Sequence, residues 1–583
     1  MRRCALNALC IMSLMCSAWI LRADEPARTG AKKLIATGWD KVDQVRLKQY
    51  IGEMETCPFN GVMMSVVGQT DEGKACQLRR AHSAEPWQRA WFAAALKDLQ
   101  SVEFQRLTDN FVSIGANPGN VDWFDDEGWG NIAEHWAIAA WLAREAGFKG
   151  LLFDPEPYSK LYAQFLYGAQ SGKSEHSFDE YVAKARERGR QVMAAVVKEF
   201  PEITVYCYFM NSVNARAAAA PQPEHVLESS GYGLFPSFID GWLDAASPST
   251  TFVDGCESAY RYNSEMQYLR AAVAIKGACQ RLISPENRAK YRAQVQVSYG
   301  IYLDAHWNPP DTKWSTWMID CGDRKPVEQL MMNVRNATQC SDQYVWIYGE
   351  KFRWWPTPNQ RVFKQYWPEA LPGCDVALQL ACDPTGYARR VLAQAEKGKN
   401  TPNLARNGDF QSATAPDNSG QQADWREGGA PAGWSCWQLK ADEGTFTWDR
   451  DLGAAKASAI PESGCFIQAY DVAEGECYAI GARVRASGRS RAWLRVRWQT
   501  AQGKWTQESL DVMAGSEPPG ADSWAQLLAA PTVPEGAGKL VVLLGMGNQE
   551  SPEDAVWFDD VQVHLLTPAD LFKRDPVRCD LEQ

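Results

Sequence analysis

The sequence has little histidine and lacks several short signatures of enzyme chemistry. Only six His occur among 583 residues, and no His-Glu-x-x-His pattern is present, which argues against a zinc hydrolase. A Gly-x-Ser-x-Gly turn and a phosphate-binding glycine loop are also missing, which argues against the common esterases and nucleotide-binding enzymes. A reaction in this chain must therefore rely on carboxylates and aromatic side chains, and we expect no catalytic cofactor.

Paired cysteines and blocks of like charge are also scarce. The 16 Cys are scattered without the short paired spacings of a zinc site. The net charge is -11, with acidic and basic residues mixed along the chain, so nucleic acid is a poor partner. A neutral substrate fits this charge better, and nothing in the sequence demands a protein partner.

Long apolar runs are absent after the first residues. Arg2 and Arg3 precede an apolar stretch at 4–21, which predicts a signal peptide over 1–23 and no later membrane span. We therefore expect an exported protein, periplasmic or extracellular. Cys16 follows Ser-Leu-Met, which only loosely resembles a lipoprotein box, so a lipid-anchored surface protein is the lesser alternative.

Aromatic residues, in contrast, are abundant. The chain has 25 Trp, 20 Tyr and 21 Phe. Flat aromatic faces stack on sugar rings, but most aromatic side chains in any protein belong to the core. Composition alone leaves both interpretations open.

The first domain alternates apolar strands with amphipathic helices, which is typical of a parallel sheet. Eight such units predict a (β/α)8 TIM barrel over 24–398, and therefore an α/β fold class, followed by a linker at 399–402. The predicted strands are 33–37, 59–67, 111–115, 150–153, 204–209, 251–253, 293–303 and 343–348.

A second domain with a different pattern begins after the linker. Short alternating strands with turn residues between them predict an all-β jelly-roll sandwich over 403–566. A charged tail at 567–583 is expected to be loosely held. The predicted strands of the sandwich are 465–472, 478–485, 492–499, 539–545 and 556–563.

The stretch 150–158 carries the strongest chemical signal, because a buried apolar strand ends in two carboxylates. Asp154 and Glu156 are two residues apart, so their side chains point the same way on a strand. Pro155 and Pro157 cannot donate ladder hydrogen bonds, so regular pairing stops there. The carboxyl ends of barrel strands carry the chemistry, which makes Glu156 the predicted general acid and Asp154 its assistant.

The second catalytic carboxylate is less sharply defined. Asp304, Glu350 and Glu257 all follow strands and all qualify. We prefer Asp304 and Glu350 jointly and place Glu257 with the substrate-binding residues. The other residues that follow strands are also expected to bind substrate, although capping of the next helix explains one or two of them. These residues are Trp39, Asn117, Asn211, Tyr302, His306, Trp307, Trp354 and Trp355.

The first domain resembles the (β/α)8 glycoside hydrolases over about Lys32 to Trp355. The ending Asp154-x-Glu156 is similar to the Asp-x-Glu strand end of the chitinase-like enzymes, although their longer Asp-rich strand signature is missing. This resemblance implies that Glu156 is the acid and that Asp154 assists a substrate group. The alternative is a non-catalytic glycan-binding protein with a degenerate barrel.

The second domain resembles the CenC-type carbohydrate-binding modules. Their opening is matched by Asn407-Gly408-Asp409-Phe410, an early Gly-Trp by Gly433-Trp434, and their closing strand by 556–561. The resemblance implies a structural calcium at Gly408, Asp409 and Asp559, whose oxygen atoms are the ligands that calcium prefers; otherwise these acids only cap turns. Candidate sugar platforms are Trp434, Trp437, Trp448, Trp498 and Trp505.

Overall fold

The computed structural model describes residues 32–119, 121–158, 163–310, 315–397, 402–411, 431–440, 444–516 and 523–578. The predicted signal peptide and most of the predicted linker lie outside these ranges. In the described ranges, no helix has both the length and the apolar character needed to cross a membrane.

The first domain is built on nine parallel strands with the order β10-β11-β1-β2-β5-β6-β7-β8-β9 and on a small separate hairpin of β3 and β4. The eleven strands are β1 (Lys33–Gly38), β2 (Gly61–Met64), β3 (Val67–Gln69), β4 (Ala75–Gln77), β5 (Phe111–Gly115), β6 (Gly150–Asp154), β7 (Thr204–Cys207), β8 (Thr251–Asp254), β9 (Val295–Val297), β10 (Gly300–Tyr302) and β11 (Tyr344–Gly349).

Thirteen α-helices in the described ranges lie between or after these strands. They are α1 (Gln44–Met54), α2 (Ala93–Gln100), α3 (Asp126–Glu145), α4 (Phe178–Glu199), α5 (Ala215–Ala219), α6 (Pro223–Leu227), α7 (Phe235–Ala245), α8 (Glu265–Lys276), α9 (Arg288–Gln294), α10 (Pro326–Cys340), α11 (Trp367–Ala370), α12 (Cys374–Cys382) and α13 (Pro384–Glu396).

The mixed α/β class and the parallel sheet are confirmed, with two differences in the predicted strands. The second one, 59–67, is shorter, because β2 spans Gly61–Met64 and Val67 begins the hairpin strand β3. The other difference is in the seventh predicted strand, 293–303. That segment forms two short strands, β9 and β10, which are separated by Ser298 and Tyr299 and are the two ends of the sheet. β9 pairs with β8, whereas β10 pairs with β11. In the described ranges, no strand pairing joins β9 to β10, although the two strands are neighbours in the chain.

The strands and helices form because their apolar residues face a common core. All five residues of β6 are buried, as expected for a strand covered on both faces. α4 begins with a capping box, in which the Ser177 side chain accepts from the N–H of Glu180 and the Glu180 carboxylate accepts from the N–H of Ser177.

The second domain has two antiparallel sheets of five strands, ordered β12-β15-β20-β17-β18 and β13-β14-β21-β16-β19. A separate apolar core, including Phe466, Trp498 and Phe558, is formed by side chains of both sheets. Sequence patterns predicted five of these strands and missed the shorter ones. The strands are β12 (Ser435–Gln438), β13 (Thr445–Asp449), β14 (Ala454–Ser458), β15 (Gly464–Asp471), β16 (Cys477–Ala486), β17 (Arg491–Gln499), β18 (Val512–Ser516), β19 (Ala525–Ala529), β20 (Lys539–Gly547) and β21 (Ala555–Thr567).

The two domains touch through α13. Ala388 and Leu392 of this helix pack against Ala479, Leu528 and Leu566 of the second domain. The interface is apolar, so the two domains are expected to stabilise each other.

The segment after β21 is not loosely held, contrary to the expectation from its charge. It returns to the first domain, where Phe572 is buried in the first core. The Val577 N–H donates to the carbonyl of Ala370 at 2.8 Å, and the Trp307 indole N–H donates to the carbonyl of Val577 at 2.9 Å. These contacts hold the segment up to residue 578.

Candidate active site

Two glutamates from different strand ends share one cavity of about 260 Å³. Glu156 follows β6, and Glu257 follows β8 on a short 3₁₀ helix, Glu257–Arg261. The remaining walls of this carboxylate cavity are formed by Phe209, Val213, Tyr232, Ser258, Tyr260, Arg261 and Trp317. The site therefore combines paired carboxyl groups with aromatic walls at the carboxyl end of the parallel sheet.

Asp154 and Glu156 are joined through a tyrosine that the sequence analysis did not single out. The Tyr158 hydroxyl lies 3.0 Å from Asp154 Oδ2 and 2.6 Å from Glu156 Oε2. The Glu156 N–H also donates to Asp154 Oδ1 at 3.1 Å. A phenol carries one proton, so it can donate to only one of these carboxylates at a time.

Burial and like charge make protonation of Glu257 favourable. Burial raises the pKa of Glu257 to about 8, and the charges of Glu156 and Asp154 add to the rise. Burial raises the pKa of Asp154 to about 6, against the lowering influence of Lys41 and with a further rise from Glu156. At neutral pH Glu257 is therefore mainly protonated, and Asp154 is mainly ionised.

Lys41 is a cation whose charge acts on this acid cluster. It follows β1, and burial lowers the pKa of Lys41 while the charge of Asp154 opposes the change. Its influence on the pKa of Asp154 is the strongest one that opposes burial. Lys41 therefore helps to keep Asp154 ionised.

Asn117 fixes the backbone of the segment that carries Glu156. Its side-chain amide donates to the carbonyl of Glu156 at 2.7 Å, and its side-chain oxygen accepts from the Tyr158 N–H at 3.0 Å. The structure therefore places Asn117 as a support for Glu156, at the end of the neighbouring strand β5.

Asp304 is fully buried and engaged by donors of the chain itself. Its carboxylate accepts from the N–H of Glu350 at 2.8 Å, from the N–H of Lys351 at 3.1 Å and from the ammonium of Lys351 at 3.2 Å. Burial raises the pKa of Asp304, and Lys351 opposes that rise. In the structure Asp304 therefore fixes the turn after β11.

Glu350 lies in a second polar group, formed with Tyr302 and Asp304, next to the carboxylate cavity. It accepts from the Tyr302 hydroxyl at 2.9 Å, and burial, followed by the charge of Asp304, raises the pKa of Glu350. Tyr302 contacts Trp317 edge to face, with ring centroids 5.8 Å apart. Trp317 thereby connects Tyr302 with the wall of the cavity.

Three residues predicted to bind substrate lie in the core. Asn211 is fully buried, and in the described ranges its side-chain amide has no hydrogen-bond partner. Burial lowers the pKa of His306 to about 4, so this ring is neutral at pH 7. Trp307 is fully buried under the C-terminal segment, where its indole N–H is already bonded to Val577.

The remaining predicted aromatic residues lie near β1 and β11. Trp39 is 44% exposed, whereas Trp355 is buried. Trp354 packs on Phe59 with ring centroids 4.9 Å apart. Trp354 and Trp355 line a cavity of about 20 Å³, which has room for about one water and none for a sugar.

Sequence patterns missed most of the cavity wall because loop residues carry no periodic signal. Tyr260 and Arg261 follow Glu257 directly, so a scan of the whole segment after β8 would have included them. Tyr232 lies between α6 and α7, and Trp317 ends the 3₁₀ helix Ser315–Trp317, so only folding brings them to the site.

The exposed face of one sandwich sheet carries two tryptophans in register. Trp437 pairs with Cys465, Cys465 with Gly545, and Gly545 with Trp493. A Cβ on Gly545 would lie 2.0 Å from Trp493 Nε1, so the Trp493 indole covers this glycine. Three strand spacings therefore separate the Cα atoms of the two tryptophans, about 14 Å across the sheet.

The five candidate sugar platforms differ in burial. Trp434 and Trp498 belong to the core, and Trp448 is half-buried against it. Trp437 is 47% exposed and Trp505 is 49% exposed. The guanidinium of Arg497 stacks on Trp505 at 4.5 Å.

The residues predicted to bind calcium are close to one another but are engaged by protein groups. Gly408 accepts from the Val561 N–H at 2.8 Å through its carbonyl. Burial raises the pKa of Asp559, and the charges of Asp560 and Asp409 add to the rise. Arg483 contacts Asp560 at 2.7 Å, and the described ranges contain no group of three or more His, Cys, Asp and Glu side chains that could hold a metal.

Comparison with known proteins gives no family. No protein-family model matches the chain, and no curated protein matches it. The resemblance that remains is to solved structures.

The solved structures show a coarse, glycan-related likeness. A family 4 carbohydrate-binding module is 20% identical, with a TM-score of 0.20, over 27% of this chain and 98% of the module. The CBM22-1 and GH10 modules of a Clostridium thermocellum endo-1,4-β-D-xylanase are 16% identical, with a TM-score of 0.18, over 23% of this chain and 26% of that one. An arabinose-bound GH51 α-L-arabinofuranosidase is 15% identical, with a TM-score of 0.21, over 29% of this chain and 28% of the arabinofuranosidase. The match spans less than a third of either enzyme.

Proposed function

We propose that this chain is a glycoside hydrolase in which Glu257 donates the proton and Glu156 is the opposing carboxylate. The observation that carries the proposal is the shared cavity of Glu156 and Glu257, together with the raised pKa of Glu257, about 8. Hydrolysis of a glycosidic bond needs one carboxylic acid and one carboxylate at the same site.

The electrostatics favour a division of roles that differs from the expectation from sequence, in which Glu156 was the acid. A proton donor must hold its proton at working pH, and the pKa of Glu257 meets this requirement. Glu156, whose oxygen lies 2.6 Å from the Tyr158 hydroxyl, is then the base or nucleophile. Asp154 and Asn117 hold the Glu156 segment in place.

The shape of the first domain supports the same reading if the parallel sheet is a closed barrel, and we infer that it is. Only Ser298 and Tyr299 separate the two end strands. Backbone bonds cross the gap, from Asp342 N–H to the Val297 carbonyl at 2.9 Å and from Trp346 N–H to the Tyr299 carbonyl at 3.1 Å.

Contacts between strands that are distant in the sheet also support closure. Tyr208, just after β7, stacks on Trp346 of β11 at 4.4 Å and bonds to Met63 of β2. A Cβ on Gly300 would lie 2.6 Å from the Trp346 ring, so this glycine makes room for the ring. Large side chains fill the interior, as in other barrels of this size.

The sandwich supplies a second glycan-binding surface in this proposal. Trp437 and Trp493 lie on one exposed sheet face, three strand spacings apart. Such a face can stack on sugar rings. Export and a structural calcium at Gly408, Asp409 and Asp559 remain parts of the proposal, the latter because clustered oxygen atoms suit calcium.

The experiment is release of reducing ends from a panel of plant, algal, microbial and host glycans by the parent and by Glu156→Gln and Glu257→Gln. We expect activity in the parent and a loss of about 10²–10⁴-fold in each variant. Glu224→Gln, on the surface helix α6, is the matched control and retains activity.

The rival function is glycan binding without catalysis. Binding of some glycan by the parent, with no release of reducing ends and no difference between the parent and Glu257→Gln, would establish the rival. Activity that survives both substitutions would move the catalytic groups elsewhere.

A further inference from the structure

The carboxylate cavity has a cationic wall as well as an acidic one. Arg261 lines the same cavity as Glu156 and Glu257. Its exposed side chain has one polar partner in the described part of the chain, the Thr316 carbonyl at 3.4 Å. The guanidinium therefore keeps most of its five N–H donors available in the cavity.

Arg261 is oriented by an aromatic contact rather than by an acid. Its guanidinium lies 4.4 Å from the centroid of the Trp317 ring, which is in turn held edge to face by Tyr302. The Tyr302 hydroxyl is fixed by its bond to Glu350. Stacking on Trp317 leaves the edge of the guanidinium free for a planar, two-bond contact with an anion.

The positive charge of Arg261 is not committed to the acids of the cavity. The pKa of Glu257 is raised by burial and by two negative charges, and among the described residues no cation offsets them. Lys41, in contrast, offsets the charge of Asp154. The two cations therefore differ, because Lys41 lowers the pKa of an acid in the cluster, whereas Arg261 has no such influence on Glu257.

Glu257 and Arg261 are presented by one short element. Both lie on the 3₁₀ helix Glu257–Arg261, whose rise places their Cα atoms about 8 Å apart along the axis. A sugar whose linkage oxygen reaches Glu257 would therefore place its own substituents, or those of the adjoining sugar, near Arg261.

The net charge of -11 favours a neutral substrate, but the local charge of the cavity wall differs. We propose that the substrate of this cavity is an anionic glycan, whose carboxylate or sulfate group pairs with Arg261 while Glu257 faces the scissile linkage. The inference rests on the proposed hydrolase function and adds the substrate class. A uronate carboxylate and a sulfate ester share the required chemistry, since both present oxygen atoms that match the guanidinium fork.

The experiment compares charged glycans with their neutral counterparts. Polygalacturonate is tested beside its methyl ester and its carboxyl-reduced form, and a sulfated galactan beside its desulfated form. Hydrolysis is measured for the parent and for Arg261→Gln, with Arg292→Gln on α9 as the matched surface control. Binding of the same glycans is measured by calorimetry with the Glu257→Gln variant.

We expect the parent to favour one charged glycan over its neutral form by about 10- to 100-fold in kcat/KM. Arg261→Gln should remove that preference, lower kcat/KM only for the charged form and leave thermal stability unchanged, whereas Arg292→Gln should behave as the parent. Preference in the uronate pair or in the sulfate pair identifies which anion binds.

Equal or better turnover of neutral glycans would overturn the inference while leaving the hydrolase function intact. An equal effect of Arg261→Gln on charged and neutral forms would overturn it as well. Absence of both hydrolysis and binding across all five glycans would also count against an anionic substrate. The proposed hydrolase function itself would fail only if the parent hydrolysed no glycan of the wider panel.

Discussion

At the scale of single residues, the central feature is a carboxyl group that holds its proton above neutral pH. Glu257 is partly buried next to the charges of Glu156 and Asp154, so ionisation of Glu257 is unfavourable, and its pKa rises to about 8. The same electrostatics have a consequence for activity and another for stability.

Activity should depend on pH through this group. If Glu257 donates the proton, kcat/KM falls as pH rises through about 8, because the donor loses its proton there. The measurement is kcat/KM between pH 5 and 10 on a glycan that the parent hydrolyses. A rate that stays constant to pH 10 would contradict the assignment.

Stability should depend on pH with the opposite sign to that of an ordinary salt-bridged acid. The folded state binds the Glu257 proton more tightly than the unfolded state, so the free energy of unfolding decreases as pH rises from about 4.5 to about 8. Glu257→Gln removes this penalty. We expect the variant to gain on the order of 1–3 kcal/mol relative to the parent at pH 8, and little at pH 4, in urea titrations.

Sequence reasoning at this scale named the carboxylates that follow strands but could not rank them. Glu257, Asp304 and Glu350 all follow strands, and their order along the chain gives no orientation. In the structure Asp304 turns inward to three donors, while the 3₁₀ helix after β8 directs Glu257 into the cavity. That choice depends on tertiary contacts, which a single sequence does not display.

At the scale of elements, the turn after β11 is held by a buried ion pair. Asp304 and Lys351 are 3.2 Å apart, with 0% and 7% of their side chains exposed. Replacing Asp304 by a neutral side chain removes the charge that faces Lys351 and weakens the bonds from two backbone N–H groups.

Asp304→Asn should therefore destabilise the protein by about 3–5 kcal/mol, measured by urea denaturation. The double variant with Lys351→Met should recover part of this loss. Glu350→Gln is the control, since its carboxylate accepts from the Tyr302 hydroxyl and Lys351 is the smallest of the influences on its pKa, and it should cost about 1 kcal/mol. A loss as small for Asp304→Asn as for the control would show that the pair is not structural.

Strands with a clear apolar pattern were predicted from the sequence, and strands with a weak pattern were missed. β5 was predicted with its bounds because it is a short apolar run between turns. The strands β12, β13 and β14 were missed, since four or five residues such as Ala-Ala-Lys-Ala-Ser give little alternation. The interruption at Ser298 and Tyr299 was also invisible, because these residues read as part of one continuous strand.

At the scale of the whole molecule, the two domains are coupled by an apolar interface and by the returning C-terminal segment. Leu392 of α13 is 4% exposed and packs against the second domain. Burial of this apolar side chain is favourable, so the contact contributes to the stability of both domains.

Leu392→Asp should separate the two unfolding transitions. The parent is expected to unfold in one calorimetric transition, whereas the variant should show two, because a buried charge breaks the interface. Gln394→Asp, on the exposed side of the same helix, is the control and should leave a single transition. A single transition in Leu392→Asp would show that the domains are coupled by other contacts.

The most direct test of the catalytic assignment is the dependence of each variant on the leaving group. An activated aryl glycoside needs no proton from the enzyme, whereas a natural linkage does. For the sugar released in the glycan panel, Glu257→Gln should lose about 10²–10⁴-fold in kcat/KM on the natural linkage and little on its 2,4-dinitrophenyl glycoside, while Glu156→Gln should lose on both. Equal losses of Glu257→Gln on the two substrates, or none, would contradict Glu257 as the proton donor.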